Sequence, residues 1–201
     1  MTEPSNRFYR FVYYPLRCIF GLAHPVMRAK GQENIPEGAC IFAANHRGIV
    51  DPFWVIFGYH PRCLFYSMAK IELFRIPVVR WFIRKLGAFP VDRDGSDVNA
   101  IKYAMRMLKN NEKLLIFPEG TRVKKGKIVT AKSGVALLAS RMGVPVVPVY
   151  LSTKRRFLSP MRVVYGEPYR IETSSRRPSQ EELETRTEEL MRKIYALGET
   201  A

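Results

Sequence analysis

The sequence predicts an α/β fold: a single domain with a central mixed sheet flanked by helices, behind an amphipathic N-terminal segment rich in aromatic and basic residues. Short apolar runs, "ACIFAAN" (39–45), "KLLIFP" (113–118) and "VPVVPVYL" (144–151), alternate with stretches of helical period, as strands do when helices separate them. A chain of 201 residues fits one compact domain. Hydrophobic residues make up 47% and aromatics 12%, enough for a buried core and too many for wholesale disorder.

The N-terminal segment is set at residues 1–29 and the main domain at 30–201. In "RFYRFVYYPLRCIFGLAHPVMRAKG" (7–31), Phe8, Tyr9, Phe11, Tyr13, Tyr14, Ile19, Phe20 and Leu22 are mixed with Arg7, Arg10 and Arg17, and Pro15 and Pro25 interrupt the run. No uncharged apolar stretch reaches the roughly 18 to 20 residues that span a bilayer. Such a segment suits the headgroup boundary, lying in the interface rather than crossing it. A helix packed on the domain's own core would show much of the same pattern.

"ACIFAAN" reads as a buried strand, followed by a loop and a helix start with Asp51 at the N-cap and Pro52 at the first helical position. Residues 70–86 have helical character, disturbed by Pro77 and stopped at Gly87. Asp97 caps a helix with Val98, Ile101, Met105 and Leu108 along one face. After "KLLIFP", a helix over about 131–142 ends at Gly143. Pro145 and Pro148 argue against a central place for the whole of "VPVVPVYL". Ser179 and Glu182 fit a capping box for a last helix carrying Leu183, Leu190, Ile194 and Leu197.

The formal net charge is +15 and the pI about 10.0. That excess attracts polyanions: nucleic acid, an anionic membrane surface or an acidic carrier protein. Cys18, Cys40 and Cys63 are odd in number and widely spaced, with no C-x-x-C and no His/Cys cluster. A reduced, cytosol-facing setting without a metal site is expected. "MTEPSNRF" is polar and acidic at position 3, unlike a signal peptide.

Most of the chemistry in the sequence gathers in "FAANHRGIVDP" (42–52). His46 and Asp51 are five residues apart, about 140° on a straight helix, so they meet only if the chain turns between them. A strand–loop–helix junction supplies that turn, and Gly48 makes it easier. It also places His46 where open α/β sheets hold ligands. With Asp51 on one ring nitrogen, the other could accept a substrate proton. Spacing alone leaves an N-capping aspartate and a structural histidine equally open. No G-x-S-x-G is present, and "AKSGVA" lacks the first glycine of a nucleophile elbow. Cys40 reads as core, and His24 and His60 as surface or packing residues.

Read together, four blocks resemble the glycerolipid acyltransferases, best known as 1-acylglycerol-3-phosphate acyltransferases. "NHRGIVDP" is similar to that family's N-H-x4-D motif, and "GAFPVDR" (87–93), "FPEGTR" (117–122) and "VPVVPV" (144–149) to its second, third and fourth motifs. The likeness covers roughly residues 30 to 151. It implies that His46 is the general base and Asp51 its orienting partner, with Asn45 in a positioning role. A hydroxyl activated in this way attacks the donor thioester directly, without an enzyme nucleophile. It also implies a phosphate site at Gly120, Thr121 and Arg122, with Arg93 as a second cation and Lys70, from "MAKIELFRIP", as a further one. Glu119 is expected to position Arg122 or a substrate hydroxyl. Many members of that family carry serine where this chain has Gly48.

The expected reaction is therefore transfer of a fatty acyl group from acyl-CoA or acyl-carrier protein to the sn-2 hydroxyl of 1-acylglycerol-3-phosphate, giving phosphatidate. No bound cofactor and no nucleic-acid partner are expected. The expected location is the cytoplasmic face of the cell membrane, peripheral or monotopic. Besides the N-terminal segment, basic clusters at Lys124, Lys125 and Lys127, at Arg75, Arg80, Arg84 and Lys85, and at Lys154-Arg155-Arg156 suit an anionic surface or an acidic carrier protein. Two other readings compete: the same chemistry on another acceptor, such as glycerol-3-phosphate or another lyso-lipid, and a basic binding module without catalysis.

Overall fold

A computed structural model describes residues 6–59, 65–92, 97–123, 131–153 and 158–199. Arg93, His60, Cys63, the lysines at 124, 125 and 127 and the 154–156 cluster lie outside the described residues. Among the described residues the strands are β1 (Met27–Lys30), β2 (Cys40–Ala44), β3 (Phe65–Lys70), β4 (Ala88–Val91), β5 (Lys113–Ile116), β6 (Val146–Leu151) and β7 (Met161–Tyr165). The helices are α1 (Asn6–Ala23), α2 (Asp51–Tyr59), α3 (Pro77–Lys85), α4 (Val98–Lys109), α5 (Gly134–Met142) and α6 (Gln180–Ala196).

The strands form one mixed sheet in the order β1-β7-β6-β2-β5-β3-β4. β2 to β6 all run in one direction; β7 runs antiparallel to β6, and β1 is parallel to β7. The ends of β2, β3, β4, β5 and β6 therefore open onto the same edge. β2 lies between β5 and β6 with every residue buried, which explains its unbroken apolar run. Tyr9 and Tyr13 of α1 pack with Trp54, Val55 and Phe57 of α2 on one face of the sheet. α4, α5 and α6 cover the other through Ala104, Leu138, Leu190 and Ile194.

Several local expectations change. α1 continues through Pro15. Residues 27–30, on either side of the 29/30 division, form β1 and pair with β7. Pro77 does not disturb α3 but opens it from its first turn, where its missing N–H costs nothing. A 3-10 turn, Ile71–Arg75, precedes it. α4 keeps its Asp97 cap, with the carboxylate accepting from Ala100 N at 2.9 Å. Of the expected face, Leu108 is buried and Ile101 and Met105 pack partly buried against the core, while Val98 is exposed; Ala100, Ala104 and Met107 complete the buried side. The two alanines let the helix lie close to the sheet.

β6 is central despite Pro148, flanked by β2 and β7. Pro148 O accepts from Gly166 N at 2.8 Å, so the side of Pro148 that lacks a donor faces the point where β7 has just ended, not β2. The capping box of α6 is half made. Ser179 Oγ accepts from Glu182 N at 3.1 Å, while the Glu182 carboxylate turns to Ser174, accepting from its N at 2.7 Å and its Oγ at 2.8 Å.

Candidate active site

β2 delivers Asn45 and His46 to the edge where the parallel strands end. The Asn45 side chain is wholly buried. It donates to Leu151 O at 2.9 Å and accepts from Leu151 N at 2.7 Å. One amide thus ties the end of β2 to the end of β6, a positioning contact made to the backbone.

The next residue carries the imidazole, which stacks on Phe117 at 4.2 Å between ring centroids and 24° between planes. Its Nδ1 lies 2.9 Å from Asp51 Oδ2. Asp51 is fully buried, and the same oxygen accepts from the amides of Arg47 at 2.6 Å and Gly48 at 2.8 Å. Three donors on one oxygen suit a carboxylate, which leaves the proton on Nδ1 and the lone pair on Nε2. Asp51 is not the N-cap of α2 but its first residue; Trp54 N reaches Val50 O. Its carboxylate points back into the loop instead. Nor does Gly48 adopt the left-handed conformation that only glycine favours. The turn closes because Asp51 gathers two loop amides together with the histidine.

The "FPEGTR" stretch leaves β5 beside this loop. Gly120 has φ +63, and its N–H closes a tight turn onto Phe117 O at 2.9 Å. A Cβ there would be strained and would crowd the Lys132 side chain at 3.1 Å. The glycine therefore shapes the loop, and its amide is used within it. Val123 N donates to His46 O at 2.9 Å, and Arg47 Nη1 donates to Val123 O at 3.2 Å. These bonds fasten the loop alongside His46. Thr121 and Arg122, between the turn and the fastening, are exposed.

Glu119 differs from expectation. Its bonds go to His46 and Tyr195, not to Arg122. Oε2 accepts the His46 backbone N–H at 2.5 Å, and Oε1 accepts the Tyr195 hydroxyl at 2.6 Å. Burial pushes its carboxyl above the usual range, opposed by the Tyr195 and His46 hydrogen bonds. Tyr195, near the end of α6, is itself pushed up to about 12 by burial and by the neighbouring carboxylate.

Lys70 ends β3, two strands from β2 in the sheet, about 10 Å across at the usual strand spacing. It pairs with Glu72 at 2.8 Å, both half-exposed. His24 is a packing residue, its ring edge-on to Trp54 at 5.5 Å.

A buried His–Asp pair thus lies at the ends of the parallel strands, with a glycine-turned loop fastened beside it. The family model described as "Acyltransferase" matches residues 26–152. A 1-acyl-sn-glycerol-3-phosphate acyltransferase of Bacillus subtilis is 33% identical over 195 residues, covering 94% of this chain and 96% of the relative. The chain belongs to the acyltransferase family. A Streptococcus pneumoniae protein of the same name is 39% identical over 110 residues, covering 54% of this acyltransferase and 40% of the relative. The crystal structure of the Thermotoga maritima 1-acyl-sn-glycerophosphate acyltransferase, PlsC, aligns with TM-score 0.66 and 28% identity over 96% of this chain and 78% of the other.

Three contributors to the acyltransferase site escaped the sequence reading. Phe117 was quoted only as the first letter of a motif, and Arg47 only as a residue between His46 and Gly48. Tyr195 lies 76 positions beyond Glu119, beyond the matched region, and had only its helical context as a signal.

Proposed function

We propose that this acyltransferase moves a fatty acyl group from acyl-CoA or acyl-carrier protein to the sn-2 hydroxyl of 1-acylglycerol-3-phosphate, yielding phosphatidate and the free thiol. The observation that carries this reading is the buried His46–Asp51 pair at 2.9 Å, set at the strand ends beside the Thr121–Arg122 loop. Asp51 keeps the proton on Nδ1, and Nε2 takes the proton of the acceptor hydroxyl as its oxygen attacks the thioester carbonyl. The tetrahedral intermediate collapses, the C–S bond breaks, and the imidazolium returns the proton to the departing sulfur. The donor brings its own activated acyl group, so this course calls on no metal and no bound cofactor.

The Arg122 guanidinium and Thr121 hydroxyl, exposed beside the dyad, take the acceptor phosphate. Arg93 joins them as the second cation. Lys70 is a third, provided it exchanges Glu72 for the phosphate. Asn45 and Glu119 hold the backbone around His46.

The lipid acceptor places the reaction at an anionic bilayer surface, the cytoplasmic face of the cell membrane. Among the described residues no helix is long and apolar enough to cross a membrane. Instead Phe11, Tyr14, Ile19 and Leu22 of α1 and Val78 and Trp81 of α3 are exposed, as is Ile49 in the loop between His46 and Asp51. Phe8 joins the two helices, its ring 5.3 Å from Trp81. Aromatic and aliphatic side chains flanked by Arg10, Arg75 and Arg80 suit peripheral or monotopic attachment, with the dyad loop facing the lipid. The same positive charge suits an acidic carrier protein as donor.

The test is transfer of labelled acyl groups to lysophosphatidate from acyl-CoA and from acyl-carrier protein, with wild type and His46→Ala side by side. Product from wild type alone supports the reading. Equal product from both removes His46 from the chemistry. Activity confined to glycerol-3-phosphate or another lyso-lipid would reassign the acceptor.

A further inference from the structure

The last helix of the fold reaches the reaction centre through one side chain. α6 packs on the core through Leu183, Leu190 and Ile194, and the Thr187 hydroxyl donates back to Leu183 O at 2.8 Å. Tyr195 departs from that pattern. Its hydroxyl donates to Glu119 Oε1 at 2.6 Å, while Glu119 Oε2 accepts the His46 amide at 2.5 Å. Glu119 as a whole is 3% exposed, so water has little access to replace a lost donor.

We propose that Tyr195 is a positioning residue of the acyl-transfer site, holding Glu119 so that the carboxylate anchors the backbone of His46. The proposal deepens the acyl-transfer reading and rests on it for its kinetic arm. Among the described residues Glu119 is the side chain that accepts from the His46 amide, as Asp51 holds its ring Nδ1 and Phe117 stacks on the ring face. Two carboxylates thus grip His46, and Tyr195 secures the one farther from the chemistry. A buried carboxylate that loses a donor is desolvated without compensation. It either takes up a proton or turns toward another partner, and each response loosens its grip on His46.

The groups facing Glu119 define what it senses. From α6 there is the Tyr195 hydroxyl; from the loop after β2, the His46 amide and imidazole and the Arg47 guanidinium, which also lies beside the Tyr195 hydroxyl. From the segment before α5, Lys132 lies over Gly120. Burial raises the carboxyl, and the Tyr195 bond is the largest opposing influence. Removing that bond raises it further, so Glu119 is neutralised at a higher pH. If the ionised carboxylate holds His46 in its working position, the acid limb of kcat moves the same way.

The experiment uses the full chain as wild type, Tyr195→Phe, Glu119→Gln and the double variant, with Ile194→Val as a control that perturbs α6 without touching the site. Phenylalanine keeps the ring and removes only the hydroxyl. Tyr195→Phe is expected to keep its fold, lower kcat about tenfold, leave KM for the acceptor within about twofold, and move the acid limb of kcat to higher pH. In the Glu119→Gln background the same change is expected to add little, because the pair acts as one unit. Carbon-13 NMR of labelled glutamate carboxyls, assigned by loss of the Glu119 signal in Glu119→Gln, is expected to show its titration moved upward in Tyr195→Phe. Ile194→Val should move neither the acid limb nor that signal. The proposal is overturned if Tyr195→Phe leaves the Glu119 titration in place, if it loses activity only in step with folded protein, or if its effect is undiminished beside Glu119→Gln. If wild type turns over no acceptor, the functional reading fails, and the carboxyl titration still decides whether Tyr195 governs Glu119.

Discussion

The two halves of the site are built differently. On the β2 side, His46 is held through its ring by Asp51, through its amide by Glu119 and through its carbonyl by Val123, and Asp51 and Glu119 are buried. On the side proposed to take the phosphate, Thr121 and Arg122 are exposed and Lys70 is spent on a surface pair with Glu72. Chemistry that moves a proton needs a fixed atom, and burial with full hydrogen bonding provides one. Recognition of a charged headgroup needs long side chains that can leave water and close on the ligand. The buried half makes its hydrogen bonds without substrate, and in the proposed reaction the exposed half closes on the headgroup.

That contrast predicts a graded set of losses when acyl transfer is measured in detergent. The largest falls on the buried half. His46→Ala is expected to lower kcat by up to about 10⁴-fold, with KM for lysophosphatidate little changed and the circular dichroism spectrum intact. Asp51→Asn should lose much of the same factor by releasing the tautomer. Either variant retaining near-full kcat would show that the rigid half is only scaffolding. On the exposed half, Arg122→Ala is expected to raise KM for a phosphate-bearing acceptor about 10- to 100-fold, the worth of a charge-assisted bond, with a smaller change in kcat. A neutral lyso-lipid acceptor is the control. An equal rise for both acceptors would mean that Arg122 does not read the phosphate.

The same contrast marks what could be read in the sequence. His46 and Asp51 are separated by four residues and Gly120 lies in a compact motif, so both stand in short blocks that the family resemblance could single out. Glu119 bonds to partners that its motif does not contain, His46, 73 positions away, and Tyr195, 76 away. No local pattern encodes such contacts. β1 and β4 are only four residues long, too short for alternation to stand out, and β1 shares its residues with the basic end of the N-terminal segment. Pro148 argued correctly against a donor at its position but not against a central strand, because whether β7 has already ended there is a tertiary fact. On α4 the expected stripe packs through Leu108, Ile101 and Met105, and the small Ala100 and Ala104 beside it, which carry little apolar signal, complete the buried side.

A smaller effect comes from the joint between β2 and β6. Asn45→Ala leaves the Leu151 backbone donor and acceptor unpaired in a fully buried place, a cost of about 1 to 3 kcal/mol. A fall in Tm by several degrees is expected, with kcat of the folded fraction reduced less than tenfold. Thermal unfolding and active-site-normalised kinetics check the two parts separately. A loss of kcat as large as that of His46→Ala, at unchanged Tm, would make Asn45 a participant in the chemistry rather than a fastening.

The smallest effect in detergent belongs to α1, and there the environment decides the result. Phe11 is 77% exposed and Leu22 76%, three turns apart on one stripe of the helix, while Tyr9, Tyr13 and Phe20 face the core. Core packing accounts for the second stripe and leaves the first without a folded-state role. Phe11→Ser with Leu22→Ser is therefore expected to shift stability by no more than about 0.5 kcal/mol and to leave turnover in detergent within about twofold. On vesicles containing phosphatidylglycerol, where each apolar side chain that enters the interface is worth up to about 1.5 to 3 kcal/mol, sedimentation should show binding weakened at least tenfold. Activity on lipid substrate in those vesicles should fall in parallel. Undiminished vesicle binding would mean that the basic residues alone hold the protein at the surface. Binding lost together with stability would mean that the exposed stripe, too, belongs to the fold.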